Sequence, residues 1–422
     1  MSSSLYRRLH GLFAASTAIA ETGAAKSKVF ISKTKASSLS PQAPRDKEKV
    51  LATIVKKFKK ATDSKRFRHH SHNAYQQTVD RLARAQKFSY IEDILEHQKK
   101  YPDITTEGFV IRLISLYGKS GMFDNARKLF DEMPELGCQR TVWSFNALLD
   151  ACVNSKCYDK IEELFHELPE KLSVKPDKVS CNTVIKAFCK MDLLDKAMFF
   201  LDEIQKTGIE PDLITFNTLI DAFYSRGCFS DAEKIWVLME EKNISPNTRS
   251  YNPKLRALVA DNKIEEAGEL LEEMKKKGLV PDTYSYNALI LGYCDKGELK
   301  EACRWYDEML KMNLSANQYT FGNLGYCACK MGDFEFGLRI CKDVIKSKTV
   351  VASDMFQKVV DGLVKLSKMD QAEELVQLGN SNNYFNFKLK LTAEGKEEEL
   401  KLTEGKEEEL KLTEGKEEED GH

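Results

Sequence analysis

Apolar residues follow helical periodicity through most of the chain, and residues 213–247 show the pattern most clearly. Two apolar stripes recur there at steps of three and four residues: Phe216, Leu219, Ile220 and Phe223, then Ala232, Ile235, Trp236 and Met239. Gly227 lies between the stripes and favours a helix end, because glycine tolerates the left-handed conformation of a C-terminal cap. Pro246 prevents the second helix from continuing. The segment therefore predicts two helices joined by a tight turn.

The same pattern recurs with a period of about 35 residues. An Asn is the fifth residue of the five central repeats, and four of these repeats end in Pro-Asp or Pro-Asn. Across the repeats a Gly is often the fifteenth residue and an Ala the twentieth. These residues are Asn146, Asn182, Asn217, Asn252 and Asn287; Gly121, Gly227, Gly297 and Gly332; and Ala126, Ala197, Ala232, Ala267 and Ala302. One helical pair cannot bury both of its faces, whereas stacked pairs can. We therefore predict an all-α, right-handed superhelical solenoid of about nine helix-turn-helix repeats, whose first helices line a concave groove.

The period divides the chain into four segments. Residues 1–45 form an N-terminal arm, 46–71 a basic lead-in helix, 72–387 the solenoid and 388–422 an acidic low-complexity tail. The predicted repeats are 72–106, 107–141, 142–177, 178–212, 213–247, 248–282, 283–317, 318–352 and 353–387. The outer repeats fit the pattern less well, as expected for terminal repeats that face solvent.

Charge is distributed unevenly, although the net charge of the 422 residues is −1. Residues 1–45 carry seven basic groups, one acidic group and nine serines, which is typical of an organellar transit peptide. The early arginines Arg7 and Arg8 favour the mitochondrion over the chloroplast; a disordered arm is the alternative. The tail repeats the run KLTEGKEEEL and is predicted to be disordered or transiently helical. No stretch approaches the roughly 18 to 20 apolar residues that a membrane span requires, so no span is predicted.

Candidate metal ligands and catalytic groups are sparse. None of the eleven cysteines forms a Cys-x-x-Cys pair, so neither a zinc site nor the motif of a zinc-dependent deaminase is predicted. The cluster His69-His70-Ser71-His72 is interpreted as a polar linker. The sequence also lacks a phosphate-binding glycine loop and a nucleophile with an adjacent base. We therefore predict a protein that is not an enzyme and that uses no cofactor, metal or small-molecule substrate.

The repeat length, the recurrent Asn and Ala, the Met of the runs DEM, LEEM and DEML, and the Pro-Asp ending resemble P-type pentatricopeptide repeats. The tetratricopeptide repeat is the competing interpretation, but its Trp-x-x-Leu-Gly pattern is absent. In the pentatricopeptide family, the fifth and last residues of a repeat together contact one base of single-stranded RNA. The resemblance implies five such pairs: Asn146 with Asp177, Asn182 with Asp212, Asn217 with Asn247, Asn252 with Asp282, and Asn287 with Asn317.

The family's pattern implies the bases U, U, C, U and C, 5′ to 3′, because Asp accepts from N3–H of uracil and Asn can donate to N3 of cytosine. Ile111 with Thr141, and Gly322 with Ala352, give no readable pair. The second residue of a repeat contacts the base in this family, and here it is Trp143, Val179, Ile214, Arg249 or Tyr284. Basic residues near the ends of first helices are candidate phosphate contacts or, alternatively, solubilising charges at helix ends: Lys119, Lys190, Arg226, Lys296 and Lys330.

Three stretches resemble a subgroup of plant mitochondrial pentatricopeptide proteins that is associated with the small ribosomal subunit. They are IVKKFKKATDSKRFR (54–68), FSYIEDILEHQKKY (88–101) and EGFVIRLISLYGKSGMFDNARKLFDEMP (107–134). The resemblance implies a component or assembly factor in the mitochondrial matrix that contacts ribosomal RNA and mitochondrial ribosomal proteins. Contact with mRNA is compatible with this role. The alternative is a free factor that binds pyrimidine-rich, UUCUC-like RNA to stabilise or process transcripts. A purely protein-binding solenoid is a third hypothesis, but it leaves the five Asn pairs unexplained.

Overall fold

The computed structural model describes the backbone of residues 43–381 and 388–391 and the side chains from residue 48 onward. The predicted N-terminal arm and the tail after residue 391 lie outside the described residues. Within them the chain forms α-helices and short 3-10 helices and no β-strand, so the all-α prediction is confirmed. The chain divides into an N-terminal body, which ends at Ser245, and a C-terminal body, which begins at Pro246.

Twelve α-helices make up the described part of the N-terminal body. They are α1 (Ala43–Ala61), α2 (Lys65–His70), α3 (His72–Arg84), α4 (Phe88–Glu96), α5 (Glu107–Lys119), α6 (Phe123–Glu132), α7 (Val142–Asn154), α8 (Ile161–Leu172), α9 (Lys178–Lys190), α10 (Leu194–Lys206), α11 (Leu213–Ser225) and α12 (Phe229–Glu241). Short 3-10 helices cover His97–Lys100, Pro102–Thr105 and Tyr158–Lys160.

Eight α-helices make up the described part of the C-terminal body. They are α13 (Thr248–Ala260), α14 (Ile264–Lys276), α15 (Thr283–Lys296), α16 (Leu299–Lys311), α17 (Gln318–Met331), α18 (Phe334–Ser347), α19 (Ser353–Lys365) and α20 (Met369–Ser381).

Within each body, a first helix packs against its own second helix and against the first helix of the next pair. The stacked first helices are α5, α7, α9 and α11 in the N-terminal body, and α13, α15, α17 and α19 in the C-terminal body. The recurrent Ala at the twentieth position is completely buried in all six repeats that carry it: Ala126, Ala197, Ala232, Ala267, Ala302 and Ala372. A larger side chain there would overfill the space between the helices of a pair, which explains why a small residue recurs.

The turn between the two helices of a pair has the same backbone conformation throughout the described chain. Gly227 has φ of 72°, as the sequence predicts, and Gly121, Gly297 and Gly332 are also left-handed. The fifteenth position of the other repeats is left-handed without glycine, at Gln86, Lys156, Asp192, Asn262 and Ser367. Stacking of the pair therefore imposes this turn even where the residue does not favour it, and glycine only removes the cost.

The lead-in segment differs from its prediction as one helix over 46–71. It forms two helices, α1 and α2, separated at Thr62 to Ser64. These short polar residues compete with helical hydrogen bonding, and the Ser64 hydroxyl caps α2 by accepting from the Phe67 N–H. The buried Arg68 guanidinium on α2 donates through Nε to Asp103 Oδ2 at 2.8 Å, which fixes the lead-in against the first repeat.

Candidate nucleic-acid interface

The last residue of each central repeat is also the N-cap of the next first helix. Asp177 Oδ1 accepts the Ser180 N–H at 2.9 Å, and the Ser180 hydroxyl accepts the Asp177 N–H at 3.1 Å, which completes a capping box. The same box is formed by Asp212 with Thr215, Asn247 with Ser250, Asp282 with Ser285, and Asn317 with Thr320. The Asp/Asn-x-x-Ser/Thr spacing was the sequence signal for this second role, which the sequence analysis missed.

A direct hydrogen bond joins the Asn amide to the capping residue in the predicted pairs of Asn146, Asn182, Asn252 and Asn287. The Nδ2–Oδ1 distances are 3.0 Å for Asn146–Asp177, 3.2 Å for Asn182–Asp212, 3.2 Å for Asn252–Asp282 and 3.3 Å for Asn287–Asn317. Asn217 belongs to the N-terminal body and Asn247 to the C-terminal body, and Asn247 caps α13 in the usual way. Stacking of first helices thus brings together residues 30 or 31 positions apart in sequence.

A buried Ser or Thr, the third residue of the following repeat, completes each network. Its hydroxyl donates to the Asn Oδ1 atom at 2.5 Å for Ser180–Asn146, 2.6 Å for Thr215–Asn182, 2.7 Å for Ser285–Asn252 and 2.7 Å for Thr320–Asn287. These hydroxyl residues are at most 1% exposed. Since Oδ1 accepts from the hydroxyl and Nδ2 donates to the cap, the orientation of the Asn amide is fixed. One N–H of each amide remains available to a further partner.

The cap uses only one of the two terminal atoms of each capping side chain. Backbone N–H groups require an acceptor, so Oδ1 of both Asp and Asn faces the helix, as seen at Asp212 and Asn317. The second atom is then Oδ2 in Asp, which only accepts, and Nδ2 in Asn, which only donates. Capping therefore converts the choice between Asp and Asn into a choice between an acceptor and a donor beside the Asn amide.

The carboxyl groups of Asp177 and Asp212 are held in the charged, acceptor-only form. Burial alone would raise the pKa of Asp177, but hydrogen bonds from the Ser180 N–H, the Asn146 amide and the Ser180 hydroxyl outweigh it and lower the pKa. The pKa of Asp212 is lowered against burial in the same way, by the Thr215 N–H and the Asn182 amide. Both groups therefore stay ionised near neutral pH.

The second residue of each central repeat projects into solvent beside these networks. Trp143, Val179, Ile214 and Tyr284 are between 56% and 72% exposed, and Arg249 is exposed as well. Tyr319, at the same position of the next repeat, is 73% exposed and was not selected from the sequence. Exposed large side chains recur at the same position of successive repeats, and aromatic ones offer flat faces on which bases can stack.

The five candidate phosphate contacts fall into two groups. Arg226 forms an ion pair with Asp192 and donates to the Cys189 carbonyl at 2.8 Å; Lys296 bonds Glu265 at 2.9 Å. Lys119 donates to Gln76 Oε1 at 2.9 Å. Lys190 and Lys330 are exposed and form no ion pair with any described residue. The latter two are thus the cations best placed to meet a phosphate.

Repeat 107–141 carries Ile111 where the five central repeats have Asn, and a different residue makes the contact with the cap. Glu107, one helical turn earlier, accepts from the Thr141 N–H at 2.9 Å and from the Thr141 hydroxyl at 2.8 Å. Burial would raise the pKa of Glu107, but the hydrogen bonds from Ser144 and Thr141 lower it. The carboxylate therefore holds the cap of α7 in place of an Asn amide, and the repeat keeps its stacking without a base-reading pair.

Other kinds of site were sought among the described residues. All eleven cysteines are free thiols. No cluster of three or more His, Cys, Asp or Glu side chains that suits a metal ion occurs among residues 43–381 and 388–391. No described helix combines the length and apolar character of a membrane span.

Comparisons with known proteins agree with the geometry of the repeats. The sequence profile of the PPR repeat family matches six overlapping segments: 112–154, 140–190, 176–225, 211–257, 250–294 and 281–330. Together these matches run from 112 to 330, which is more than half of the chain.

Two relatives from Arabidopsis thaliana are the small ribosomal subunit proteins mS78 (rPPR3a), 58% identical, and mS79 (rPPR3b), 54% identical, each over 152 residues. Each alignment covers 36% of this chain and 38% of the relative, so the chain spans about two fifths of the length of these relatives. The crystal structure of the pentatricopeptide repeat protein PPR10 from maize is similar, with a TM-score of 0.44 and 18% identity, over 72% of this chain and 53% of that chain. With the profile matching more than half of its residues, the chain belongs to the PPR repeat family.

Proposed function

We propose that this protein binds single-stranded, pyrimidine-rich RNA along its central repeats and acts on the small subunit of the mitochondrial ribosome. The observation that carries the RNA-binding proposal is the capping geometry, in which Oδ1 of the last residue binds the helix N-terminus, as at Asp212 and Asn317, and the second atom can contact a base. At Asp282 the second atom, Oδ2, also accepts from the Asn252 amide at 3.3 Å and uses its other lone pair for the base. Asp177, Asp212 and Asp282 then accept from N3–H of uracil, and Asn247 and Asn317 donate to N3 of cytosine. The expected sequence is UUCUC, 5′ to 3′.

Stacking supplies the second part of the proposed contact. The exposed side chains at the second position recur once per repeat, with Val179 and Ile214 in two repeats and Trp143 and Tyr284 in two others. A base held by the Asn amide lies between the second-position side chains of successive repeats. Base–aromatic contacts of this kind contribute about 1–3 kcal/mol per base, which is comparable to one base-specific hydrogen-bonded pair.

Phosphate attraction contributes less in this protein than in most RNA-binding proteins. Residues 102–389 carry 37 basic and 44 acidic groups, and two of the five candidate cations are already paired with carboxylates. Nonspecific affinity depends largely on phosphate contacts, so a free RNA is held mainly by its bases. Five readable bases recur by chance about once per thousand nucleotides, too often to specify one site among many competitors. A contact with another partner must therefore direct the protein to its binding site.

The ribosomal part of the proposal provides that contact. Two relatives that share 58% and 54% identity over 152 residues are named small ribosomal subunit proteins. The lead-in helices add a basic surface, with exposed Lys56, Lys57, Lys60, Lys65 and Arg66, that suits ribosomal RNA. We place the protein in the mitochondrial matrix as a component or assembly factor of the small subunit. In this role it is a binding protein and not an enzyme, with ribosomal RNA and ribosomal proteins as partners and mRNA as a further contact.

Gradient sedimentation of mitochondrial lysate, with and without EDTA, tests the ribosomal proposal. We expect the protein to comigrate with the small subunit after EDTA has separated the two subunits. Migration as a light particle away from both subunit markers would exclude a stable ribosomal component.

A second candidate function is a free factor that binds particular transcripts to stabilise or process them. The observation that favours it is that four base-reading pairs are complete within the protein alone, without any ribosomal partner. Purified protein should then bind UUCUC RNA more tightly than a scrambled RNA of the same composition. Equal binding of both RNAs would argue against base reading in either function.

A further inference from the structure

Residues 388–391 lie outside any helix and contact the last helical pair, α19 and α20, where two amide side chains bind their backbone. The Leu389 N–H donates to Asn380 Oδ1 at 2.8 Å, and Asn380 Nδ2 donates to the Leu389 carbonyl at 3.1 Å. The Lys390 N–H donates to Gln357 Oε1 at 3.1 Å, and Gln357 Nε2 donates to the Lys390 carbonyl at 2.8 Å. Two successive residues thus have both backbone groups bound, Leu389 by one helix and Lys390 by the other, as in a β-strand that has a neighbour on each side.

Only one side chain of this segment is recognised. Leu389 is 4% exposed and lies over Gly379, where an added Cβ would stand 2.6 Å from Leu389 Cδ1. The absence of a side chain at Gly379 therefore makes the space that Leu389 fills. Lys388, Lys390 and Leu391 are exposed. The contacts require an extended backbone and one leucine, and they tolerate any flanking side chain.

The sequence offers this segment three times. The run Leu-Lys-Leu-Thr begins at Leu389 and recurs without change at Leu400 and Leu410. Because the contacts involve the backbone and the first leucine of the run, each copy carries everything that the site binds. A tether of a few tens of residues gives each copy an effective concentration of about millimolar at the site.

We propose that the last helical pair is a peptide-binding site for an extended Leu-Lys-Leu segment, and that the three copies in the tail compete for it within one chain. Gln357 is the fifth residue of repeat 353–387, the position at which other repeats carry the base-reading Asn. Both N–H groups of its amide are engaged, one by the Lys390 carbonyl and one by Asp361 Oδ1 at 2.8 Å. A bound copy therefore prevents the Gln357 amide from contacting RNA. The other two copies can occupy the site when the first one dissociates.

A labelled peptide of sequence FKLKLTAE, followed by fluorescence anisotropy with the full-length chain, tests this proposal. The wild-type chain and Leu389→Ala should both bind the peptide weakly, because at least two tethered copies of the run still compete in each of them. The triple variant Leu389→Ala, Leu400→Ala and Leu410→Ala should bind it at least about tenfold more tightly, since no tethered copy then competes. Adding Gln357→Ala or, separately, Asn380→Ala to the triple variant should remove that gain. A peptide with its first leucine replaced by alanine is the control probe.

Three results would overturn the proposal. Equally weak binding by the triple variant, with its helical circular dichroism intact, would show that no peptide site exists. Strong binding by Leu389→Ala alone would show that the later copies do not replace the first. Dimers in sedimentation velocity of the wild-type chain that are absent from the triple variant would show that the tail docks on a second chain instead of its own.

Discussion

Replacement of Thr215 by Val tests whether the buried hydroxyl sets the orientation of the Asn182 amide, which we propose contacts a base. The Thr215 hydroxyl donates to Asn182 Oδ1 at 2.6 Å and accepts the Asp212 N–H at 3.0 Å. Valine keeps the branched shape of threonine but can neither donate nor accept. The cap itself survives, because Asp212 Oδ1 still accepts the N–H groups of residues 214 and 215.

The expected magnitude follows from the two lost hydrogen bonds and their burial. Thr215 is 1% exposed, so water cannot replace the hydroxyl. Each unsatisfied buried partner costs about 1–3 kcal/mol, but Asn182 is half-buried and recovers part of this by turning its amide to solvent. We expect a loss of about 1–3 kcal/mol in the free energy of unfolding.

The specificity effect should be confined to the second base of the RNA. A mismatched base ordinarily costs about 1–3 kcal/mol, and an amide that can flip presents either its donor or its acceptor. We expect the ratio of Kd values for UACUC and UUCUC to fall severalfold towards one, while the ratio for a change at the fourth base stays constant. Thr215→Ser should restore the wild-type ratio.

Urea denaturation followed by circular dichroism, and fluorescence anisotropy with the three RNAs, measure these two effects. Thr218→Val is the matched control: it is on the same helix, and its hydroxyl donates only to the Ile214 carbonyl, at 2.8 Å. It should change neither the stability by more than about 0.5 kcal/mol nor the Kd ratio. If Thr215→Val weakens all RNAs by the same factor, the hydroxyl supports the fold but does not set specificity, and the reasoning above is refuted.

Three further predictions concern the same network and the packing between repeats. Asp212→Asn should keep the cap, since Asn and Asp cap equally well, and should change the preferred second base from U to C in anisotropy titrations; an unchanged preference for U would contradict the proposed role of the second atom. The pKa of Asp212 is lowered in the folded protein, so its carboxylate contributes fully to stability above the ordinary pKa of 3.8, and this contribution is lost as the pH falls below that value. The urea midpoint should therefore decrease more for the wild type than for Asp212→Asn between pH 7 and pH 3. Parallel curves of midpoint against pH would refute this prediction. Gly118→Ala would place a Cβ 2.5 Å from Ala151 Cα and should destabilise the fold by about 1–3 kcal/mol. Gly322→Ala is on the first helix of another repeat, with open space around the new Cβ, and should stabilise the fold by up to about 1 kcal/mol. Equal thermal denaturation midpoints for the two variants would show that interhelical packing does not decide the difference.

The features that the sequence predicted well depend on residues close together along the chain. Helical periodicity and the left-handed turn at Gly227 follow from a pattern with a constant period. The pairing of each Asn with the last residue of its repeat, 30 or 31 positions away, came instead from the family resemblance. The cap at Asp212 was also within reach, because its partner Thr215 is three residues away. Because the periodicity, the turn and the cap depend on residues a few positions apart, they can be predicted from composition and spacing without knowledge of the fold.

The tertiary structure decided which of the candidate RNA-binding side chains are already engaged by a neighbouring repeat and which can still contact RNA. Arg226, Lys296 and Lys190 occupy similar places near the ends of first helices. Stacking of the repeats nevertheless pairs Arg226 with Asp192 and Lys296 with Glu265, each from the preceding repeat. Glu107 reaches Thr141, 34 residues away, and Gln357 is occupied by Lys390, 33 residues away. These contacts span one repeat, so they depend on the rotation and offset between stacked pairs.

The sequence by itself therefore determined the kind of helical pairs and, through the family resemblance, the positions that meet between neighbouring repeats. The tertiary structure alone decided the donor and acceptor atoms that each position presents. The physical reason is that a hydrogen bond depends on distances of a few tenths of an ångström and on which atoms the neighbouring repeat has already engaged. Period and composition fix the neighbours, whereas the packing of one repeat on the next fixes their geometry.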